Sequence, residues 1–124
     1  MITFCKDSYA EVTGFTDENQ DCSVRAFAAA ACLDYQYVHG LFYKHGRRNG
    51  RATPGSVTAA VLAEQFPSVK REFTYCRLAA WVSAHPKGHY VVHVNKHALA
   101  VVDGVVYDWK LGPNRIVKSF VKLV

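Results

Sequence analysis

The chain has 124 residues, of which half are apolar and a fifth are charged, and its formal net charge is +5. This length predicts a single domain over residues 1–124, and the apolar fraction excludes a disordered polypeptide. The charge permits an acidic partner without requiring one. No apolar run is long enough to span a membrane, and the first residues lack the apolar stretch of a secretion signal.

The cysteines at positions 5, 22, 32 and 76 show none of the C-x-x-C spacings of zinc ribbons and knuckles. We therefore expect no metal ion, and nothing in the sequence implies an organic cofactor. Without a secretion signal the thiols are expected to stay reduced, which is typical of a cytoplasmic protein.

The first two-thirds of the chain carry mainly helix signals. Residues 1–13 are expected to hold a short strand or an irregular arm, followed by a polar segment over 14–20. The run 22–33 is rich in alanine and apolar on nearly all sides, which predicts a helix buried in the middle of the domain. Breakers and caps then predict helices over 35–44, 57–66 and 77–84 and a short strand over 69–75.

After Gly88 the composition changes to β-branched and aromatic residues, which favours strands. Asp103-Gly104, between two Val-Val pairs, is a strong signal for a two-residue hairpin turn. Strands are predicted over 89–95, 97–102, 105–109 and 116–123. The sequence therefore predicts an α+β fold, in which N-terminal helices, with a buried central helix that starts at a cysteine, pack on a C-terminal antiparallel sheet.

Cys22 is the candidate nucleophile, because it lies where the buried helix should begin. The free N–H groups and the positive dipole end of a helix N-terminus lower the pKa of a thiol. A cysteine in an alanine-rich helix is more often only a small core residue, and Cys32 fits that interpretation. Cys22 differs from Cys32 because a candidate base and a candidate acid follow on later strands.

His97 and Asp108 are that candidate base and acid, because the hairpin brings them together. With Asp103-Gly104 as the turn, His97 and Asp108 point to the same face of the sheet as diagonal neighbours on adjacent strands. Long side chains bridge that separation. A solvated carboxylate at a strand end is the plainer interpretation of Asp108, and Asn114 is the alternative partner of His97 if the hairpin is longer.

Four segments, in their order along the chain, carry a family resemblance: DCSVRA (21–26), GRRNGR (46–51), PKGHYVVHV (86–94) and HALAVVDGVVYD (97–108). The chain resembles the papain-like cysteine peptidase fold in its small form, and a group of short bacteriophage proteins related to the bacteriocin-processing peptidases. The resemblance implies a papain-like fold, with Cys22 as nucleophile, His97 as base and Asp108 as orienting acid. It also implies a hydrolase or acyltransferase that acts on a peptide, isopeptide or amide bond, in the host cytoplasm if phage-encoded.

The chain departs from that pattern at the oxyanion-stabilising glutamine. Papain-like enzymes carry this glutamine about one and a half helical turns before the cysteine, and that position here is Thr16. Asn19 and Gln20 are the nearby side-chain candidates, beside the backbone N–H of Cys22. A catalytically inactive papain-like binding protein that blocks a host factor is therefore one alternative function.

Arg47, Arg48 and Arg51 form a basic loop flanked by glycines, which could bind phosphate or the acidic surface of a host protein. A solvated loop is the plainer interpretation. A basic nucleic-acid-binding protein is the other alternative function, but the chain has no recognised RNA- or DNA-binding motif. We therefore expect a peptide or protein substrate as the main partner, rather than nucleic acid or a membrane.

Overall fold

The computed structural model describes residues 3–5, 20–108, 112 and 114–123. Helices dominate the first half of this part of the chain and strands the second half, so the fold is α+β as predicted. The elements are β1 (Thr3–Cys5), α1 (Cys22–Ala31), α2 (Tyr35–Lys44), α3 (Gly55–Gln65), β2 (Arg71–Arg77), α4 (Leu78–Ala84), β3 (His89–Val94), β4 (His97–Val102), β5 (Val105–Tyr107) and β6 (Ile116–Lys122).

The strands form one sheet in the order β1-β5-β4-β3-β6-β2. β1 runs parallel to β5, and the other pairings are antiparallel. The predicted C-terminal antiparallel sheet is thus confirmed. The edge strands of the sheet are β1 and β2. No local sequence pattern indicates which strands they pair with.

The predicted hairpin turn is also confirmed. Asp103 and Gly104 have φ angles of 47° and 82°, and Val102 pairs with Val105 across them. Positive φ at both loop positions is the type I′ turn, which matches the twist of the flanking strands. Oδ1 of Asp103 also accepts a hydrogen bond of 2.9 Å from the Gly88 N–H, which ties the turn to the start of β3.

The bounds of three helices differ by one or two residues from the sequence prediction, and α4 begins at Leu78 rather than at 77. α1 ends at Ala31, because Cys32 adopts a left-handed conformation with φ of 57° and closes the helix. α3 spans Gly55–Gln65 after Pro54, rather than the predicted 57–66. The Pro54 carbonyl accepts the first hydrogen bonds of that helix.

Apolar clusters cover both faces of the sheet. On one face, α1, α2 and α3 pack through Val24, Phe27, Phe42 and Val61 against Val91, Ala100 and Val121 of the strands. On the other face, α4 packs through Leu78 and Trp81 against Val92, Leu99, Val101, Val106 and Phe120. α1 lies along β4 between the sheet and the other helices, so the predicted buried central helix is confirmed. Among the described helices, none is long and apolar enough to cross a lipid bilayer.

Candidate active site

Cys22 is the first residue of α1 and is half-buried against the sheet. Its sulfur forms hydrogen bonds with the His97 ring, the backbone N–H of Ala98 and the Ser23 side chain. Burial raises the pKa of the Cys22 thiol, but these hydrogen bonds and the charge of His97 outweigh burial. The pKa of Cys22 therefore lies below its ordinary value, which favours the nucleophilic thiolate.

His97 is the first residue of β4 and lies between the thiol and a carboxylate. Its Nε2 is 2.8 Å from Oδ1 of Asp108, so Nδ1 is the ring nitrogen that remains for the sulfur of Cys22. Burial lowers the pKa of His97, but its contacts with Asp108 and Cys22 prevail and raise the pKa to about 9. The ring therefore favours the imidazolium form at neutral pH, and it lies between the carboxylate of Asp108 and the sulfur of Cys22.

Asp108 follows β5 and is fully buried, with an exposed fraction of 0%. Its Oδ2 accepts a hydrogen bond of 2.8 Å from Arg115, so both carboxylate oxygens have cationic partners. Burial raises the pKa of Asp108, but His97 and Arg115 lower it below the ordinary value. The predicted pairing of Asp108 with His97 is confirmed, and Asn114, the alternative partner, is exposed.

Arg115 is a site residue that the sequence did not reveal. Its guanidinium spans from Oδ2 of Asp108 to the carbonyl of Gly112, which accepts from Nε at 3.0 Å. A single arginine before a strand carries no local signal. Only the need to neutralise a buried Asp108 could have pointed to a cation in this position.

A cleft of about 710 Å³ opens beside Cys22 and His97. Thr53 and Gly55 line it from the helical side, and Arg71, His93 and Lys96 line it from the strands and their connections. The cleft gives an outside molecule access to the Cys22 sulfur. Among the described residues no group of three or more His, Cys, Asp or Glu side chains could hold a metal ion.

Of the two side-chain candidates for stabilising the oxyanion, Gln20 is described by the structure and Asn19 is not. Gln20 is exposed and lines the cleft, but its Nε2 donates a hydrogen bond of 3.2 Å to the Gly50 carbonyl. One of its two amide N–H bonds is thus engaged with the loop. Asn19 and Thr16 lie outside the described residues. The backbone N–H of Cys22, in the first turn of a helix, is a further donor at this site.

The basic loop contains one buried and two exposed arginines. Arg47 is 2% exposed and donates a hydrogen bond of 3.3 Å to the carbonyl of Gln20. Arg48 stacks on the ring of Tyr43 at 4.4 Å from its centroid, and Arg51 is exposed. Arg47 is therefore withdrawn from the loop surface, and partner binding by the three arginines stays a prediction. Its guanidinium is directed inward and holds the residues that precede α1.

We expect Arg47→Met to lower the free energy of unfolding by about 1–3 kcal/mol, because the part-buried hydrogen bond to the Gln20 carbonyl loses its donor. The matched change Arg51→Met, at an exposed position of the same loop, should stay within about 0.5 kcal/mol of the wild type. Urea denaturation measures both variants. Equal stability of the two variants would show that the hydrogen bond from Arg47 to Gln20, before α1, does not stabilise the fold.

His97 and His93, on neighbouring strands, are expected to titrate at opposite ends of the pH range. Burial and the nearby Arg71 charge lower the pKa of His93 to about 4, whereas the pKa of His97 is about 9. NMR titration of ¹³C-labelled histidine rings checks this, with His93→Gln and His97→Asn variants to assign the signals. A midpoint near 6.5 for His97 would contradict the ion-pair geometry.

The pKa shifts of His97 and His93 change the stability of the fold in opposite directions as the pH rises. The folded pKa of His97 is raised, so its contribution is present below about pH 6.5 and is lost as the pH rises towards 9. The folded pKa of His93 is depressed, so its neutral form favours folding above about pH 6.5, and stability falls as the pH drops towards 4.

No protein-family model matches the chain, and comparisons with curated proteins and with solved structures find no match. The chemistry of the cleft therefore has to be inferred from its own geometry. That geometry combines a thiol of lowered pKa, an imidazolium and a buried carboxylate in one connected series.

Proposed function

We propose that this protein is a papain-like cysteine hydrolase or acyltransferase that acts on a peptide, isopeptide or amide bond. One observation carries the proposal: Cys22, His97 and Asp108 form a hydrogen-bonded series whose thiol end borders an open cleft. A nucleophile, a base and a group that orients the base are the components of covalent acyl-transfer catalysis. The chain order of these residues, and helices followed by an antiparallel sheet, support a papain-like fold.

The reaction would proceed in two steps, acylation of Cys22 and transfer of the acyl group to water or an amine. The Cys22 thiolate attacks the carbonyl carbon, and the electron pair of the C=O bond moves to oxygen. When the oxyanion collapses, the C–N bond breaks and the leaving amine takes the proton from Nδ1 of His97, leaving a thioester on Cys22. Neutral His97 then removes a proton from water or from an acceptor amine. That nucleophile attacks the thioester, releases the product and restores the thiolate–imidazolium pair.

Asp108 and Arg115 would act through His97 rather than on the substrate. The hydrogen bond from Nε2 to Asp108 fixes the ring so that Nδ1 faces the sulfur, and its charge stabilises the imidazolium. Arg115 holds the other oxygen of Asp108 and so restricts the carboxylate. The oxyanion would be stabilised in part by the backbone N–H of Cys22.

A binding protein of the same fold, in which catalysis has been lost, is the second candidate. The observation that favours it is the engagement of the Gln20 amide with Gly50, together with Thr16 at the position of the usual glutamine. Such a protein could block a host factor. Nucleic-acid binding has less support, because Arg47 is withdrawn from the basic loop surface.

The cytoplasm of a cell, or of a host if the protein is phage-encoded, is the setting that we propose. Cys22, Cys32 and Cys76 are free thiols. A reducing cytoplasm keeps such thiols unoxidised.

Limited alkylation with iodoacetamide near pH 6, followed by peptide mass mapping, tests the reactivity on which this function depends. Cys22 should be modified first, although Cys32 is the more exposed thiol, because reactivity follows the thiolate fraction. Cys32 thus serves as the internal control. Faster modification of Cys32 or Cys76 would argue against a catalytic Cys22.

A chromogenic acyl ester then separates the two candidate functions. A hydrolase should acylate at Cys22 and turn over, and Cys22→Ala should do neither. A reactive Cys22 that shows no turnover with the ester would favour the binding protein.

A further inference from the structure

Among the described residues, two that line the cleft each carry a buried polar atom without a hydrogen-bond partner: Nδ1 of His93 and Oγ1 of Thr53. The proposed acyl-transfer chemistry uses neither atom. A buried polar atom without a partner costs about 1–3 kcal/mol, so such atoms are few in folded proteins. Two of them lining one cleft are well suited to the recognition of a polar group.

His93 lies very near the reactive thiol. It pairs directly with Ala98 across β3 and β4, and the N–H of Ala98 donates to the sulfur of Cys22. Side chains of directly opposed residues start about 4.5–5.5 Å apart. A group bound to His93 would therefore belong to the same substrate segment as the carbonyl that Cys22 attacks.

The same wall is positively charged. Arg71 and Lys96 line the cleft, and no Asp or Glu is among its described lining residues. Arg71 forms no salt bridge within the part of the chain that the structure describes. Burial and, to a lesser extent, the nearby charge of Arg71 lower the pKa of His93 to about 4, so His93 is neutral near pH 7. A neutral imidazole N–H and a hydroxyl can both donate to an anion that a guanidinium attracts.

We propose that this cleft selects a substrate with a carboxylate next to the bond that is attacked, in an Asp or Glu side chain. Arg71 would supply the charge, and His93 and Thr53 the buried hydrogen bonds. This inference rests on the proposed function, since it names the substrate class of the same site. A carboxylate is the anion that unmodified peptides carry beside a backbone carbonyl, and a phosphorylated side chain is the alternative that the experiment separates.

The test uses short peptidyl acyloxymethyl ketones, which alkylate catalytic cysteines irreversibly. Probes carry Glu, Gln, Leu or phosphoserine at either of the two positions before the ketone, and intact mass spectrometry follows the inactivation rate. At one position the Glu probe should react about tenfold or more faster than the isosteric Gln probe, the gain expected from charge-assisted hydrogen bonds. Equal rates for Glu and Gln, or a preference for Leu or phosphoserine, would overturn the proposal.

Variants show which residues produce the selectivity. The measured quantity is the inactivation rate with the Glu probe divided by the rate with the Gln probe, because this ratio is unaffected by changes in thiol reactivity. Arg71→Gln should bring the ratio close to one, Arg71→Lys should retain part of it, and His93→Gln should lower it. Lys118→Gln is the matched control, because Lys118 is an exposed cation on β6 that does not line this cleft. An unchanged ratio in Arg71→Gln would overturn the assignment of the charge to Arg71.

The outcomes also separate the two proposals. If Cys22 reacts selectively with iodoacetamide but no probe shows a carboxylate preference, the specificity proposal fails and the proposed function stands. If Cys22 reacts selectively with neither reagent, both proposals fail.

Discussion

Replacing His97 by Asn should slow the alkylation of Cys22 near pH 6 by about tenfold or more. Without the imidazolium, the hydrogen bonds from Ala98 and Ser23 remain, but the hydrogen bond and the charge of His97 no longer oppose burial, so the pKa of the Cys22 thiol should rise. A thiol with an ordinary pKa near 8.5 is less than about 1% thiolate at that pH, so most of the nucleophile would disappear. Stopped-time labelling with iodoacetamide and mass mapping of Cys22 measures the rate.

The matched control for this prediction is His45→Asn. The side-chain hydrogen bond described for His45 is to the carboxylate of Glu64, and His45 does not line the cleft. Its replacement should leave the labelling rate of Cys22 unchanged. For turnover, Cys22→Ala should leave only a small residual rate, and adding His97→Asn should lower that rate little further, because the two residues act as one unit. A double variant far slower than Cys22→Ala would mean that they act separately.

Asp108→Asn should lower both the stability of the fold and the reactivity of Cys22. The substitution keeps the shape of the side chain but leaves His97 and Arg115 without their shared anion. Loss of one partner from a buried ion pair costs about 3–5 kcal/mol, and the partial exposure of Arg115 reduces this to about 2–4 kcal/mol. The pKa of His97 should fall, and with it the thiolate fraction of Cys22. Urea denaturation and the alkylation rate measure the two effects.

Asp103→Asn is the matched control on the same hairpin. An asparagine also adopts positive φ in a type I′ turn, and its carbonyl oxygen can still accept from the Gly88 N–H. Stability and Cys22 reactivity should therefore both remain close to the wild type. If Asp103→Asn and Asp108→Asn behaved alike, the role given to the buried carboxylate would be wrong.

The parts of the site that the sequence predicted are those that depend on local signals. The Asp103-Gly104 turn sets the register of β4 and β5, and this register places Asp108 beside His97. Asp34 caps α2 through hydrogen bonds from two backbone N–H groups, and the predicted bounds of that helix match the observed ones. Strong local chemistry at a turn or a cap leaves few alternatives for the chain.

The remaining parts depend on contacts between distant segments. A loop rich in glycine and arginine predicts a solvated surface, yet Arg47 is buried because the carbonyl of Gln20 lies within its reach. Arg115 lies just before β6, and no local signal indicates that its side chain contacts Asp108. Strand composition did not distinguish His93 from the other strand histidines. His93 is distinguished by its position in the lining of the cleft beside Cys22, which only the folded structure shows.

The two-residue turn makes the active site sensitive to changes in chain length within 97–108. One inserted residue would reverse the alternation of β5 and carry the carboxylate of Asp108 to the opposite side of the sheet, away from His97. Two inserted residues would restore the side but displace the carboxylate by about 6–7 Å along the strand. The number of residues in 97–108 is therefore fixed by the site, and natural insertions or deletions should accumulate elsewhere in the chain.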